Sequence, residues 1–247
     1  MKVICILCVY NEIDILPHKV EWADRNGLDL YIMDNYSTDG TWEMVNEMKI
    51  PCSRIDTGGA FDTRIIEKAK MQIVDNIKPE WVIHNGADLF HFYDKPVWDF
   101  ICDVDKQGFN MICSDMIDVC RTEKEDYEDP FHYKYYRYSK PVTFVFKYIP
   151  GVKIVGDEIV YPVEAKVIKY GLMVNFGRTK LPEQRKELLR RRRKAWANGL
   201  DDRFGRHYLR EAAQQFRWRA ADLELLKGSR YNKFIKAYLR IRDGSSV

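Results

Sequence analysis

The chain has 247 residues, of which 46% are hydrophobic and 13% aromatic, enough to build one large core or two small ones. Its 40 basic and 37 acidic residues give a formal net charge of +3, so the chain as a whole is not a polycation and no nucleic-acid partner is expected. Any electrostatic attraction for a ligand must therefore be local.

Six cysteines are scattered along the chain, several of them inside apolar runs. The one close pair, Cys5 and Cys8, lies in a predicted strand and not on a loop of the kind that holds zinc, so reduced core cysteines are favoured over a zinc site. The N-terminal run VICILCV is too short to span a membrane and is not followed by a signal-peptide cleavage site. These features predict a cytoplasmic protein.

The first part of the chain alternates strand-like and helix-like patterns. VICILCVY is a continuous apolar run, typical of a strand that is covered on both faces. NEIDILPHKVEWADRNG has apolar residues at helical spacing and ends at Gly27, a favoured residue after a helix. LDLYIMD then predicts a second strand, and STDGTWEMVNEM a second helix. This order predicts an α/β fold with a mostly parallel central sheet.

The alternation continues through the middle of the chain. A short strand near residues 53–56, a helix over about 62–77, the strand WVIHNGAD, the helix VWDFICDVDKQG and the strand FNMICSDMIDVCR follow in order. Residues 123–138 are crowded with acids and tyrosines and predict a long loop, with a solvated insertion favoured for its acidic half. Short strands are predicted in VTFVFKYI, VKIVGDEIVYP and GLMVNFG.

From residue 181 onward the pattern changes to helices. LPEQRKELLRRRRKAW has Pro182 at a favoured early helical position, and HYLREAAQQFRWRAADLELL and YNKFIKAYLRIR predict two more helices. We expect a domain over residues 1–180 and a C-terminal helical extension over 181–247 packed on it. The basic run at 190–194 cannot direct all its side chains at one site, so a solvated or membrane-facing surface is favoured for most of it. A peripheral nucleic-acid or membrane module is the alternative that this run supports.

Polar residues follow the predicted strands where their carboxyl ends should meet. Tyr10, Asn11 and Glu12 follow the first strand, Asp34 ends the second, and Asp88 ends WVIHNGAD. Ligands of parallel α/β sheets bind at this edge, so these residues should gather in one crevice. Capping of a helix is favoured for the nearby aspartate of STDGT, and ligand binding is favoured for Asp34.

The glycine-rich phosphate loops GxGxxG and GxxxxGK[ST] are both missing from the sequence. A bound nucleotide diphosphate would therefore need another source of positive charge. A divalent cation on Asp88 would supply it, because hard cations take carboxylate and phosphate oxygens together.

Three segments resemble the signatures of a glycosyltransferase family, the family 2 type with the GT-A fold. CVYNE, DNYSTDGT and the strand ending in GAD are similar to the family's YNE, DDxSxDGT and DxD, and the likeness covers about the first half of the chain. LMVNFGRTKLPEQRKELLRRRRKAW is similar to the closing segment of small members, in which a histidine often stands near the position of Asn175. The resemblance implies a GT-A fold and transfer of a sugar from a nucleotide sugar, UDP-linked in most members, to a hydroxyl of a glycan or other acceptor.

The resemblance also implies roles for individual residues. Tyr10 and Glu12 would border the base and ribose, and Asp34 would hydrogen-bond the base. Asp88 would ligate Mn²⁺ or Mg²⁺. The implied donor site consists of Tyr10, Asn11, Glu12, Asp34, Arg64, Ala87 and Asp88. Arg64 matches a region that approaches the nucleotide in relatives, and a place on a surface helix is an equal alternative for it.

The GAD segment departs from the family pattern at two positions. Gly86 stands where the first aspartate of DxD is expected, and Leu89 replaces an acid of the related DADEF variant. We interpret GAD as a reduced metal site, in which the donor diphosphate and water complete the coordination of the cation. The alternatives are a metal-independent enzyme and a catalytically degenerate GT-A protein that only binds nucleotide sugars.

Most members invert the anomeric centre, which requires a carboxylate that deprotonates the acceptor hydroxyl. The candidates are Asp157 and Glu158 in VKIVGDEIVYP, and Asp115 and Asp118 in ICSDMIDVC. Asp157 is preferred, because a Gly-Asp turn between two strands places the acid at a rim with backbone freedom.

Overall fold

The structure is a computed structural model that describes residues 1–122, 130–155, 158–180 and 182–199, together with a few later positions: Glu224, Leu225, Ser229, Tyr231, Lys233, Phe234 and Lys236. Asp157 and most of the two last predicted helices lie outside the described residues.

Strands and helices alternate through the first half of the described chain. The helices are α1 (Leu16–Arg25), α2 (Thr41–Glu47), α3 (Thr63–Ile77), α4 (Val97–Lys106) and α5 (Pro182–Ala197). The strands are β1 (Val3–Val9), β2 (Asp29–Asp34), β3 (Cys52–Arg54), β4 (Trp81–Asn85), β5 (Leu89–Phe92), β6 (Met111–Cys120), β7 (Tyr135–Tyr138), β8 (Val142–Lys147), β9 (Lys153–Val155), β10 (Glu158–Val160), β11 (Val167–Arg178) and β12 (Glu224–Leu225).

One large sheet runs in the order β12-β7-β6-β8-β4-β1-β2-β3. Its strands β4, β1, β2 and β3 are parallel, and β8 pairs antiparallel with both β4 and β6. The long β11 pairs parallel with β6 and antiparallel with β5, while β9 and β10 form a separate hairpin. The predicted α/β fold with a mostly parallel central sheet is confirmed.

The apolar run of β1 is buried because helices cover both faces of the sheet. Leu7 belongs to the core cluster that contains Trp22 of α1, and Ile6 belongs to the cluster that contains Val74 of α3. Successive strand residues point to opposite faces, so a strand between two layers must be apolar at nearly every position. The carboxyl end of β1 is thereby fixed at the centre of the sheet edge.

Local signals place the ends of the first helices. α1 has a proline in its first turn, and the chain leaves it through Gly27, whose φ of 68° favours glycine. α3 begins after Asp62, whose side chain accepts a hydrogen bond from the Arg64 backbone N–H. Both helices therefore begin or end close to the positions predicted.

Three short strands differ from the predictions. β5 was not predicted, and β7 lies where a loop was predicted, so the loop prediction is wrong for its four residues. β8 pairs with the first part of β6, and the second part of that ten-residue strand pairs with β7. Glu224–Leu225 pair with β7, so the helix prediction is wrong for these two residues.

All six cysteines are free, which agrees with the prediction of reduced thiols, and Cys5 and Cys120 are buried. Within the described part of the chain, no helix is both long enough and apolar enough to cross a membrane.

Candidate functional site

The loops after β1 and β2 form one surface at the carboxyl edge of the sheet. The Asn11 backbone N–H donates to Ser37 Oγ at 2.9 Å, and Asn11 Oδ1 accepts from the Thr38 N–H at 2.8 Å. The Glu12 N–H donates to Thr41 Oγ1 at 3.1 Å. The two segments that carry the first two signatures are thus joined by hydrogen bonds.

Asp39 lies one residue before Gly40, the N-cap of α2, so the prediction that Asp39 caps this helix is off by one residue. Its Oδ1 accepts from the Thr41 N–H at 3.0 Å, at the start of α2, and its Oδ2 accepts from the Ile13 N–H at 3.2 Å. Asp39 therefore stabilises the helix start and holds the two loops together.

Asp34 is buried below the side chain of Arg54. Its carboxylate has no exposed surface and accepts from the Ser37 N–H at 3.2 and 3.3 Å, while Arg54 Nε lies 3.7 Å from Oδ2. The Arg54 guanidinium lies 5.0 Å from the ring centroid of Tyr36 and 4.4 Å from that of Trp42. Asp34 therefore offers no exposed surface to a ligand in this structure.

A cavity of about 280 Å³ lies at the carboxyl ends of β1 and β2. Tyr10, Asn11 and Glu12 line it, as predicted, and α5 forms its opposite wall. The complete lining is Cys8, Val9, Tyr10, Asn11, Glu12, Asn35, Phe61, Ile66, Lys180, Glu183, Gln184, Glu187, Leu188 and Arg191.

Helix α5 closes this cavity by contacts to Tyr10 and to the chain before α3. The Tyr10 hydroxyl donates to Glu187 Oε1 at 3.2 Å, and the Arg191 guanidinium lies 3.5 Å from the Tyr10 ring centroid. Arg191 also donates to the Ala60 carbonyl at 3.1 Å. Arg191 is only 1% exposed, so it is an exception to the solvated or membrane-facing surface favoured for the basic run.

Glu12 forms an ion pair with Lys180 at the edge of the cavity. Lys180 Nζ lies 2.5 and 2.6 Å from the two Glu12 carboxylate oxygens, and the two side chains are 12% and 14% exposed. Lys180 follows β11, where Thr179 donates through its N–H and its hydroxyl to the Phe176 carbonyl. The sequence carried no local signal for this pair, because its members are 168 residues apart.

Two carboxylates share the charge of Lys180. Burial raises the pKa of Glu12 to about 7, although Lys180 opposes this rise, and Asp88 adds to it. Burial lowers the pKa of Lys180, but Glu12 and Asp88 outweigh burial and raise that pKa above its ordinary value. Two carboxylates beside one ammonium leave an excess negative charge, which favours proton uptake by both groups.

Two glycines flank the Asp88 carboxylate. A Cβ atom at Gly86 would lie 2.8 Å from Asp88 Oδ1, and one at Gly177 would lie 2.6 Å from Asp88 Oδ2. The Asp88 carbonyl accepts from the Phe176 N–H at 2.8 Å, which holds the turn against β11, and Ala87 is buried beside it. The glycine in place of the first aspartate of DxD therefore belongs to a narrow slot around Asp88.

Two buried lysines hold the ends of the turn that carries Asp88. Lys19 Nζ donates to the Leu89 carbonyl at 2.5 Å, and Lys70 Nζ donates to the Asn85 carbonyl at 2.7 Å. The Lys19 ammonium also lies 3.9 Å from the Trp22 ring centroid. Burial lowers the pKa of both lysines to about 8. The turn is therefore anchored by two cations that the sequence did not single out.

The described residues do not fit a metal ion held by the protein alone. They contain no group of three or more His, Cys, Asp or Glu side chains that could hold a cation. Asp88 is a single carboxylate, and both oxygens of the neighbouring Glu12 bind Lys180. Hard divalent cations need about six oxygen ligands or more. The Mn²⁺ or Mg²⁺ ion expected from the sequence stays a prediction, and no step below depends on it.

The preferred general base, Asp157, lies outside the described residues. Of the alternatives, Glu158 is exposed at the start of β10, and Asp115 Oδ2 lies 3.4 Å from the Tyr231 hydroxyl. The choice of base therefore stays a prediction.

Asp118, the remaining alternative, is a buried member of a polar chain that leads to the Asp88 slot. Its Oδ2 accepts from Arg137 Nε at 2.9 Å and its Oδ1 from Asn175 Nδ2 at 2.8 Å. Asn175 Oδ1 accepts from the Gly177 N–H at 2.8 Å. Both carboxylate oxygens of Asp118 are thus engaged, which suits a structural role better than proton transfer.

Arg64, in the first turn of α3, contacts the residues that follow α5 and does not line the cavity. Its Nε and NH2 groups contact the Asp62 carboxylate at 3.0 and 2.6 Å, and its NH1 donates to the Gly199 carbonyl at 3.1 Å. Its side chain is 52% exposed. These contacts agree with the surface-helix alternative, in which Arg64 links α3 to the residues that follow α5.

No protein-family model and no curated protein matches the sequence. Similar solved structures include S. aureus TarS 1-349 in complex with UDP, with 17% identity, 55% of this chain and 40% of that chain covered, and a TM-score of 0.38. The same protein in complex with UDP-GlcNAc has 16% identity and a TM-score of 0.39, and the match covers 55% of this chain and 39% of that chain. HddC from Yersinia pseudotuberculosis has 14% identity and a TM-score of 0.43, and the match covers 76% of this chain and 98% of that chain. The chain spans about two fifths of the length of TarS 1-349.

Proposed function

We propose that the protein is a glycosyltransferase that moves a sugar from a nucleoside-diphosphate sugar, with UDP as the favoured nucleotide, to a hydroxyl of a glycan or other acceptor. The observation that supports this best is the cavity at the carboxyl ends of β1 and β2, which Tyr10, Asn11 and Glu12 line. This edge of an α/β sheet is where nucleotides bind. The segments that resemble the first two family signatures meet there.

The volume of the cavity suits part of a donor molecule. About 280 Å³ lies just below the ~300–1,000 Å³ of ordinary small-ligand sites. We place the nucleoside against Tyr10 and Asn11, and the diphosphate toward the Glu12–Lys180 pair and the Asp88 turn. Contact of the base with Asp34 stays a prediction and requires that the buried carboxylate becomes exposed.

The proposed reaction is a single displacement with inversion. A carboxylate removes the proton of the acceptor hydroxyl, the oxygen bonds to the anomeric carbon, and the bond to the nucleoside diphosphate breaks. Asp157 is the predicted base. Helix α5 covers one side of the donor and would exclude water from the leaving group.

A binding protein without turnover is the second candidate, and the Asp88 slot is the observation that favours it. Gly86 leaves one carboxylate in place of the two of DxD. Both candidates use the same donor site, so they differ in turnover and not in binding.

Binding and turnover of UDP-sugars separate these candidates. Calorimetry with UDP should show binding that Tyr10→Ala weakens, because the nucleoside lies against this ring, and that Tyr138→Ala, which removes an exposed tyrosine of β7, leaves unchanged. A transferase should also release UDP slowly from its donor in the absence of acceptor. Binding without any release or transfer would favour the binding protein, and no binding of any nucleotide would contradict both.

A further inference from the structure

The ammonium of Lys180 lies where a cation would have to lie to neutralise Glu12 and Asp88. It contacts both oxygens of Glu12 at 2.5 and 2.6 Å and interacts electrostatically with Asp88. An ammonium and a divalent metal ion cannot occupy this place together, because their like charges repel at close range. The protein therefore already holds a positive charge beside Glu12, close enough to Asp88 to interact with it electrostatically.

We propose that Lys180, together with Arg191, holds the diphosphate of the donor in place of a divalent metal ion. This inference rests on the proposed function. It identifies the cations of the donor site and makes donor binding independent of metal.

The geometry of Lys180 leaves it able to bind phosphate. An ammonium has three N–H donors, and within the described residues both of its hydrogen bonds go to the one carboxylate of Glu12. Lys180 also lines the cavity, so a phosphate oxygen that enters there meets a partly buried cation. Charge-assisted hydrogen bonds of this kind are the stronger ones.

Arg191 supplies the second positive charge. It lines the same cavity, is 1% exposed, and its Nε atom has no acceptor among the described residues. The Nε atom is itself buried, so the charge of the guanidinium, and not this N–H, would attract a phosphate group in the cavity.

The test compares metal dependence in wild type and in Lys180→Ala, with UDP as the probe. In wild type, the UDP dissociation constant measured by calorimetry should be the same with Mn²⁺ and with excess chelator. In Lys180→Ala with chelator, UDP affinity should fall about 10- to 100-fold, and Mn²⁺ should restore part of it. The freed carboxylates of Glu12 and Asp88 would then hold the metal. Lys106→Ala, which removes an exposed lysine of α4 that does not line the cavity, is the control and should change nothing.

A second readout does not use the nucleotide. Mn²⁺ alone, followed by electron paramagnetic resonance, should bind to Lys180→Ala and not to wild type. Lys180→Gln keeps a hydrogen-bond donor for Glu12 and serves if the alanine variant does not fold.

Each outcome separates this inference from the proposed function. UDP binding by wild type that needs Mn²⁺, or unchanged UDP binding by the Lys180 variants in chelator, overturns the inference alone. Absence of UDP binding by wild type under both conditions overturns the proposed function and the inference with it.

Discussion

Replacement of Gly177 by alanine should weaken donor binding through Asp88. The new Cβ atom would lie 2.6 Å from Asp88 Oδ2 and 2.9 Å from Asn175 Oδ1, whereas ordinary contacts begin at 3.4 Å. The Asp88 carboxylate must therefore move by about 0.8 Å or rotate. If Asp88 holds Lys180 in place for the donor, the loss should be about 1 to 3 kcal/mol, or roughly 5- to 150-fold in the UDP dissociation constant.

A double-mutant cycle shows whether the alanine acts through Asp88. Calorimetry with UDP would be carried out on wild type, Gly177→Ala, Asp88→Ala and the double variant, with thermal unfolding to confirm that each is folded. In the Asp88→Ala background the Gly177 change should cost less than about 0.5 kcal/mol, because its target carboxylate is gone. An equal loss in both backgrounds would refute the reasoning and assign the effect to the backbone of β11.

Three further changes test other parts of the site. Asp34→Ala should lower the free energy of unfolding by about 1 to 3 kcal/mol, because it removes a buried acceptor, and should also weaken UDP binding; normal binding by the folded variant would make Asp34 purely structural. Lys70→Met removes an ammonium whose pKa burial lowers to about 8. Between pH 8 and about 10.4 this lysine binds more protons in the unfolded state than in the folded state. The free energy of unfolding of wild type, measured with urea, should therefore rise by up to about 1.4 kcal/mol per pH unit relative to the variant. Equal pH slopes for the two proteins would contradict this. Asp157→Asn should reduce transfer by ~10² to 10⁴ while UDP binding stays unchanged, and transfer within threefold of wild type would move the role to another acid.

The central layers of the fold could be predicted from the sequence because their signals are local. The apolar run of β1 predicts a buried strand from its own residues, and the helix predicted from about residue 62 is observed to begin after Asp62. β7 is different, since its tyrosines and Arg137 form a strand only because β6 has an open end to pair with. Such pairing depends on distant residues, which a local pattern cannot show.

The candidate site divides in the same way. Tyr10, Asn11 and Glu12 line the cavity as predicted, because the carboxyl ends of neighbouring parallel strands must meet. Lys180 and Arg191 reach the same cavity only through the packing of α5 against the sheet edge, a contact between segments far apart in the sequence. Their place could not be predicted from the basic run, in which only the packed face is buried.

The measurement that tests the central claim most directly is calorimetric titration of UDP into wild type and into Leu188→Trp. Leu188 lines the cavity, and the larger ring of a tryptophan at this position would narrow it. Wild type should bind UDP, and the narrowed variant, still folded, should lose most of this binding. No binding by wild type, or equal binding by both proteins, would contradict the claim that the cavity at the ends of β1 and β2 is a nucleotide site.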